Sequence, residues 1–173
     1  MARFKFGLLS GKCRMGVIVM ILLLVSPKTA CARLGESAQE CVDRYGQPIA
    51  VNRANPAGPY MDFRSNGLII RCFYVTAEPD SACEQILYRT DIAAGAVTWD
   101  VFQRVLELNS QGSTWGEPMS RESSLGTVTD WQRQDGADAD YVRGSGLKIR
   151  SRELNERLRR EQKNEVNART NGL

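Results

Sequence analysis

The sequence predicts an α+β fold: two αβββ units built on antiparallel sheets, followed by a charged C-terminal helix. Three observations carry this. Asn66-Gly67 and Asp135-Gly136 each sit between runs of alternating apolar and polar residues, the strongest short-range hairpin signal. A segment with apolar residues at helical spacing lies upstream of each hairpin. Residues 152–173 are charged and helix-favouring, with few side chains able to pack.

The chain opens with the three parts of a secretory leader. Arg3, Lys5, Lys12 and Arg14 form a basic start, and 15–25 is an apolar run of eleven residues. Ser26 and Pro27 break it, and Ala30-Cys31-Ala32 supplies small residues for a peptidase, so cleavage is expected after Ala32. A spanning helix needs about 20 apolar residues, and Lys28 stands where lipidation of Cys31 wants a Leu-like residue. The leader is therefore read as a signal for export to the periplasm or beyond. Contact with a membrane is expected only through it, before cleavage.

The net charge of +3 belongs to this leader, which holds five basic residues and no acidic one. Without it, 18 Lys+Arg stand against 20 Asp+Glu, which removes the case for nucleic-acid binding. The chain has no histidine, so Ser-His-Asp and Cys-His catalysis and His-bearing metal sites are excluded within one chain.

In the domain expected over 33–151, Ser37-Ala38-Gln39-Glu40 is a capping box that starts a helix. Ala38, Cys41, Val42 and Tyr45 share one face of it, and Gly46 and Pro48 end it. Residues 52–59 read as a polar loop. A type I′ turn at Asn66-Gly67 sets Ser65 opposite Leu68, Phe63 opposite Ile70 and Met61 opposite Cys72. Met61, Phe63, Leu68, Ile70, Cys72 and Tyr74 then face the core, and Tyr60, Asp62, Arg64, Ile69, Arg71, Phe73 and Val75 the other side. After a proline turn at 77–81, residues 83–89 read as a third strand, although both sides carry apolar residues and periodicity alone does not exclude a short helix. Strict alternation puts Glu84, Ile86 and Tyr88 on one side of it, and Cys83, Gln85 and Leu87 on the other.

Thr98 caps the second helix, with Asp100 in its first turn and Val101, Phe102, Val105, Leu106 and Leu108 as its apolar stripe. Asn109 or Gly112 ends it. The Ser- and Gly-rich stretch 110–126 reads as a loop. A two-residue turn at Asp135-Gly136 places Arg133 opposite Asp138 and Trp131 opposite Asp140. Gly144-Ser145-Gly146 turns into a last strand, 147–150. The units span about 34–90 and 98–151, side by side or sharing one sheet. In the tail, Glu153–Arg157 and Glu156–Arg160 are spaced for i,i+4 pairs, and fraying is expected over 167–173.

Cys41, Cys72 and Cys83 allow at most one internal bridge. Cys41–Cys72 is the expected disulfide and Cys72–Cys83 the second choice, with the third thiol buried or paired with another chain. No Gly-rich phosphate loop, nucleophile elbow or Cys-x-x-Cys occurs. Asp135, Asp138 and Asp140 fit a solvated hairpin better than a calcium loop. Asp62, Glu107, Asp130 and Asp140 offer carboxylate pairs for glycoside hydrolysis, as any acid-rich chain does. No catalytic residue, metal or cofactor is assigned. Tyr60, Phe73, Trp115 and Trp131 are the candidate binding residues, because grouped exposed aromatics mark recognition surfaces.

Gly35 and Ser37, then Gly46 and Pro48 after one short helix, resemble the opening of the SmpA/OmlA (BamE-like) family over 34–48. That family has a Gly-x-Thr/Ser start, a short helix, a Gly-x-Pro exit and strands. The segment also resembles the tandem helix-plus-sheet modules of beta-lactamase-inhibitor proteins. The resemblance implies a non-enzymatic binding module of the cell envelope. The expectation is thus an exported protein-interaction module with a protein partner, its oligomeric state left open. The alternative is a small carboxylate-dependent envelope hydrolase or a carbohydrate-binding protein.

Overall fold

A computed structural model describes residues 33–94, 98–124 and 126–171; the leader expected over 1–32 lies outside the described residues. Helix α1 (Ala38–Tyr45) starts at the expected capping box. The Ser37 hydroxyl accepts from the Glu40 backbone N–H at 3.2 Å, and the Glu40 carboxylate accepts from the Ser37 N–H at 2.7 Å. Strands β1 (Ala50–Asn52), β2 (Tyr60–Ser65), β3 (Leu68–Tyr74) and β4 (Cys83–Thr90) follow. After a short 3-10 turn come helix α2 (Trp99–Leu108) and strands β5 (Met119–Ser123), β6 (Gly126–Gln132), β7 (Asp138–Val142) and β8 (Gly146–Arg150). Helix α3 (Arg152–Asn171) closes the described chain.

All eight strands form one antiparallel sheet in the order β1-β2-β3-β4-β8-β7-β6-β5. The α+β class, the antiparallel pairing and the C-terminal helix are as the sequence leads one to expect. The strand count is not, because each half has four strands rather than three. The extra strands, β1 and β5, carry loop composition and lie at the two edges. Exposed there on both faces, they show no apolar alternation to announce them.

The first hairpin forms with the expected register: Ser65 pairs with Leu68, Phe63 with Ile70 and Met61 with Cys72. Asn66 (φ 50) and Gly67 (φ 76) take the left-handed conformation that a type I′ turn needs. The second hairpin differs by one residue. Arg133 N–H donates to the Ala137 carbonyl and Gly136 N–H to the Arg133 carbonyl, so three residues turn the chain, with Gly136 at φ 97. Trp131 therefore opposes Ala139 rather than Asp140, and Gln132 opposes Asp138. A one-residue slip exchanges the faces, so Asp138 and Asp140 join Asp130 on one side and Trp131 turns to the core. In β4 a bulge intervenes: Gln85 pairs with Phe73 but Cys83 with Tyr74. The extra residue, Glu84, breaks the alternation and returns Cys83 to the core side with Ile86 and Tyr88.

Both α1 and α2 pack on one face of the sheet. Phe63, Ile70, Ile86, Tyr88, Leu147 and Ile149 come from the strands, Ala38 and Cys41 from α1, and Phe102, Val105 and Leu106 from α2. Burial of each large apolar side chain contributes about 1.5–3 kcal/mol. Thr98 occupies the cap position of α2 without a side-chain hydrogen bond, and the helix ends at Asn109. Asn109 is wholly buried, with its amide donating to the Tyr88 hydroxyl at 3.2 Å. Arg133 ties this helix end to the second hairpin, donating to the Asn109 carbonyl and holding Asp135 with Nε at 2.8 Å and Nη2 at 2.7 Å.

The last helix runs as one piece through the stretch expected to fray, as far as Asn171. Its ion pairs also differ from the expected spacing. Arg152 pairs with Glu156 at 2.7 Å, while Arg157 leaves Glu153 and reaches Glu84 at 3.0 and 2.6 Å. The long-range pair wins because Glu84, displaced by the bulge, is held at the sheet's end where α3 crosses.

Two glycines in the final turn separate backbone strain from close approach. Gly144 (φ 86) has open space where a Cβ would sit, whereas at Gly146 (φ 111) a Cβ would stand 2.1 Å from the Tyr88 carbonyl oxygen. Gly144→Ala is expected to cost about 1 kcal/mol, and Gly146→Ala roughly 3 kcal/mol because β8 must also shift from β4. Urea unfolding of both variants checks this; equal costs would contradict the close approach.

Candidate functional site

The sheet face turned away from α1 and α2 carries the chain's organised polar surface. One cross-strand row runs from Ala50 through Asp62, Arg71 and Leu87. It continues through Lys148, Asp140 and Asp130 to Met119, so each of the eight strands contributes one residue. A neighbouring row holds Asn52, Tyr60, Phe73, Gln85, Arg150, Asp138 and Gln132 in the same registers.

Charges on this face are paired across strands. Arg71 holds Asp62 through Nε at 2.7 Å and Nη2 at 2.8 Å, a two-point bond that also orients the guanidinium. This bond with Asp62 raises the Arg71 pKa. Its guanidinium carbon lies 4.0 Å from the Tyr60 ring centre, and Tyr60 in turn packs on Phe73 at 5.5 Å. At the other half Arg150 holds Asp138 with two bonds of 2.9 Å and Asp140 at 3.2 Å, while Lys148 reaches Asp140 at 3.1 Å. Burial works against the charge of Arg150, but Asp138 and Asp140 outweigh it and the pKa rises. Arg121 pairs with Asp130 at 2.7 Å. This face sets ordered guanidinium and carboxylate groups around a half-buried aromatic pair.

The four aromatic residues singled out in the sequence do not form one surface. Tyr60 and Phe73 lie together on this open face, each half-buried. Trp131 is turned to the helix side by the three-residue turn, is 8% exposed, and stacks on Trp99 at 5.8 Å. Trp115 packs against the same core; its indole N–H donates to the Leu106 carbonyl at 2.8 Å. Neither tryptophan belongs to the open face. The slip that displaces Trp131 brings Asp138 and Asp140 to the same face as Asp130, and the β7–β8 register sets them beside Arg150 and Lys148. The Asp62–Arg71 pair, in contrast, is already implied by the Asn66-Gly67 register.

The four acids considered for hydrolysis are each engaged with a cation: Asp62, Asp130 and Asp140 as above, and Glu107 with Arg104 at 2.6 Å. Asp135 serves Arg133, whose hydrogen bond holds its carboxyl below the usual range. Among the described residues no group of three His, Cys, Asp or Glu could hold a metal ion. No described helix is long and apolar enough to cross a membrane. Beside Phe73 and Gln85, a groove of about 540 Å³ opens between the end of β3–β4 and α3, with Leu154 and Leu158 on its far wall.

Beneath the opposite face, Cys41 of α1, Cys72 of β3 and Cys83 of β4 are buried free thiols, so the expected Cys41–Cys72 bridge is not formed. Cys72 lies between the other two thiols and is bonded to neither, while the Cys83 thiol donates to the Gln85 carbonyl at 3.4 Å. The hydrogen bond with Cys72 and burial push the Cys41 thiol up. Cys72 is also raised, its bond to Cys83 and burial outweighing its bond to Cys41. Burial likewise raises the Tyr74 hydroxyl beside them.

No protein-family model, curated protein or solved structure matches this chain.

Thiol chemistry gives a direct check on this core. The folded state keeps Cys41 and Cys72 protonated where unfolded thiols ionise, near pH 8.5. Their stabilising contribution is full below that pH and is lost as pH rises above it, by about 1.4 kcal/mol per unit for each thiol. The urea midpoint is expected to fall between pH 8 and 10, and less so in Cys41→Ala; a midpoint flat over this range would contradict the buried thiols. In the native protein at pH 8, iodoacetamide is expected to label none of the three.

Proposed function

We propose that this chain is an exported, non-enzymatic protein-interaction module of the cell envelope, and that the open sheet face is its binding surface. The observation that carries the reading is the face itself: an eight-stranded surface on the side away from α1 and α2, uncovered by a helix among the described residues, with Tyr60 and Phe73 packed together among cross-strand ion pairs. Half-buried aromatics and a preorganised arginine are the side chains that supply most binding energy at protein interfaces. A backbone held on both sides by sheet hydrogen bonds loses little freedom on association. The leader supports export, and the resemblance of 34–48 to SmpA/OmlA openings supports an envelope role. The two halves repeat one order of elements, a helix followed by four strands, and together make a wider face than either offers alone.

A photo-cross-linking residue at Gln85, beside Phe73 on the open face, tests this in native envelope extract. One protein is expected to be captured from Gln85 and not from Gln103 on the exposed side of α2. Replacing Tyr60 and Phe73 together by Ala should weaken that capture about 10- to 100-fold with the fold intact. Equal capture from both positions, or recovery of glycan alone, would contradict the reading.

A further inference from the structure

Among the described residues, Arg89 on the open face has no carboxylate partner. Arg64 pairs with Asp91, Arg71 with Asp62, Arg121 with Asp130, Lys148 with Asp140 and Arg150 with Asp138. Arg89 of β4, half-buried between them, makes no hydrogen bond or ion pair among the described residues, and its Nε is buried without a partner. An unmet buried donor of a charged group is costly, and the cost is recovered only when an acceptor arrives.

The surroundings select what that acceptor can be. Arg89 pairs with Ile69 on one side, and on the other the backbone of Gly146 comes so near that a Cβ there would lie 3.3 Å from the Arg89 Cα. Gly146 adds no side chain to the face beside the guanidinium. Past it, along the same row, lie Val142 and Val128, both buried although they stand outside the core on the helix side. The site is a single guanidinium on an apolar floor. Asp62, Asp91, Asp130, Asp138 and Asp140 are ion-paired on the same face, so a polyanion laid across it would meet these carboxylates as well as the arginine. One acidic side chain with apolar neighbours meets none of that repulsion.

We infer that Arg89 is the anchor point of the open face for an apolar segment of a protein partner that carries a single Asp or Glu, whose carboxylate completes its hydrogen bonds. This inference rests on the protein-interaction reading and names the chemistry of the partner. The fork of guanidinium donors suits a planar carboxylate in two-point contact.

The test uses the protein purified after expression with its leader, titrated with a capped Ala-Leu-Glu-Leu-Ala peptide, its Ala-Leu-Gln-Leu-Ala counterpart and inorganic tripolyphosphate. The readout is the Arg89 Nε–Hε NMR cross-peak, assigned by its loss in Arg89→Gln. The glutamate peptide is expected to shift this peak saturably and the glutamine peptide to leave it unmoved. Binding of the glutamate peptide should weaken at least about fivefold in Arg89→Gln, by an intermediate amount in Arg89→Lys, and not at all in Arg104→Gln on α2. Undiminished binding of the glutamate peptide in Arg89→Gln, or tripolyphosphate shifting the peak at lower concentration than that peptide, would overturn the inference. Capture from Gln85 that persists in Arg89→Gln would refute this anchor and leave the interaction module standing. Loss of all capture while the glutamate peptide still engages Arg89 would refute the module and leave the carboxylate site.

Discussion

The pairing of β4 with β8 is the contact on which the rest of this structure depends. Gln85 to Tyr88 run antiparallel against Arg150 to Leu147, and the Ile86–Ile149 pair at their centre is wholly buried. Without it the chain is two four-stranded meanders, each with an exposed edge and a half-core. With it, the helices of both halves share one hydrophobic layer, and the cross-strand rows on the opposite face become continuous. Gly146 is the local requirement, because a side chain there would strike the Tyr88 carbonyl as the strands come together.

That joint also explains where the charges lie. In a sheet the residues of one row are neighbours, so a carboxylate on one strand is best answered by a cation on the next. Asp62 and Arg71 do this in the first half, and Asp138, Asp140, Lys148 and Arg150 in the second. Such pairs, part-buried and held by two bonds, hold their side chains in place more than they stabilise the fold. The face is thereby ordered before any partner reaches it, and Arg89 stands on it without a carboxylate partner among the described residues.

The sequence made the first hairpin legible and misled on the second, although both carry the same kind of dipeptide. Asn66-Gly67 closes a two-residue turn whose geometry is local. At Asp135-Gly136 the outcome is tertiary: Arg133 is drawn into the core by the Asn109 carbonyl and Asp135, and a third residue enters the turn. Every side chain beyond it changes face, so Trp131 went to the core and the aspartate network to the open side. The edge strands were hidden for a different reason, since exposure on both faces erases the alternation that marks a strand. The cysteines were placed near one another correctly by the hairpin register, but the bulge at Glu84 brought Cys83 to the same cluster, and Cys72 lies between two thiols and is bonded to neither.

The central claim is that both halves form one sheet through β4 and β8, and amide hydrogen exchange in the native protein tests it most directly. The account predicts that the amides bonding β4 to β8, within Gln85–Tyr88 and Leu147–Arg150, exchange among the slowest in the chain, opening only with global unfolding. The edge strands β1 and β5 should exchange far faster. If β4 and β8 exchanged as fast as those edges while β2–β3 and β6–β7 stayed protected, the halves would be separate sheets and the continuous face would not exist.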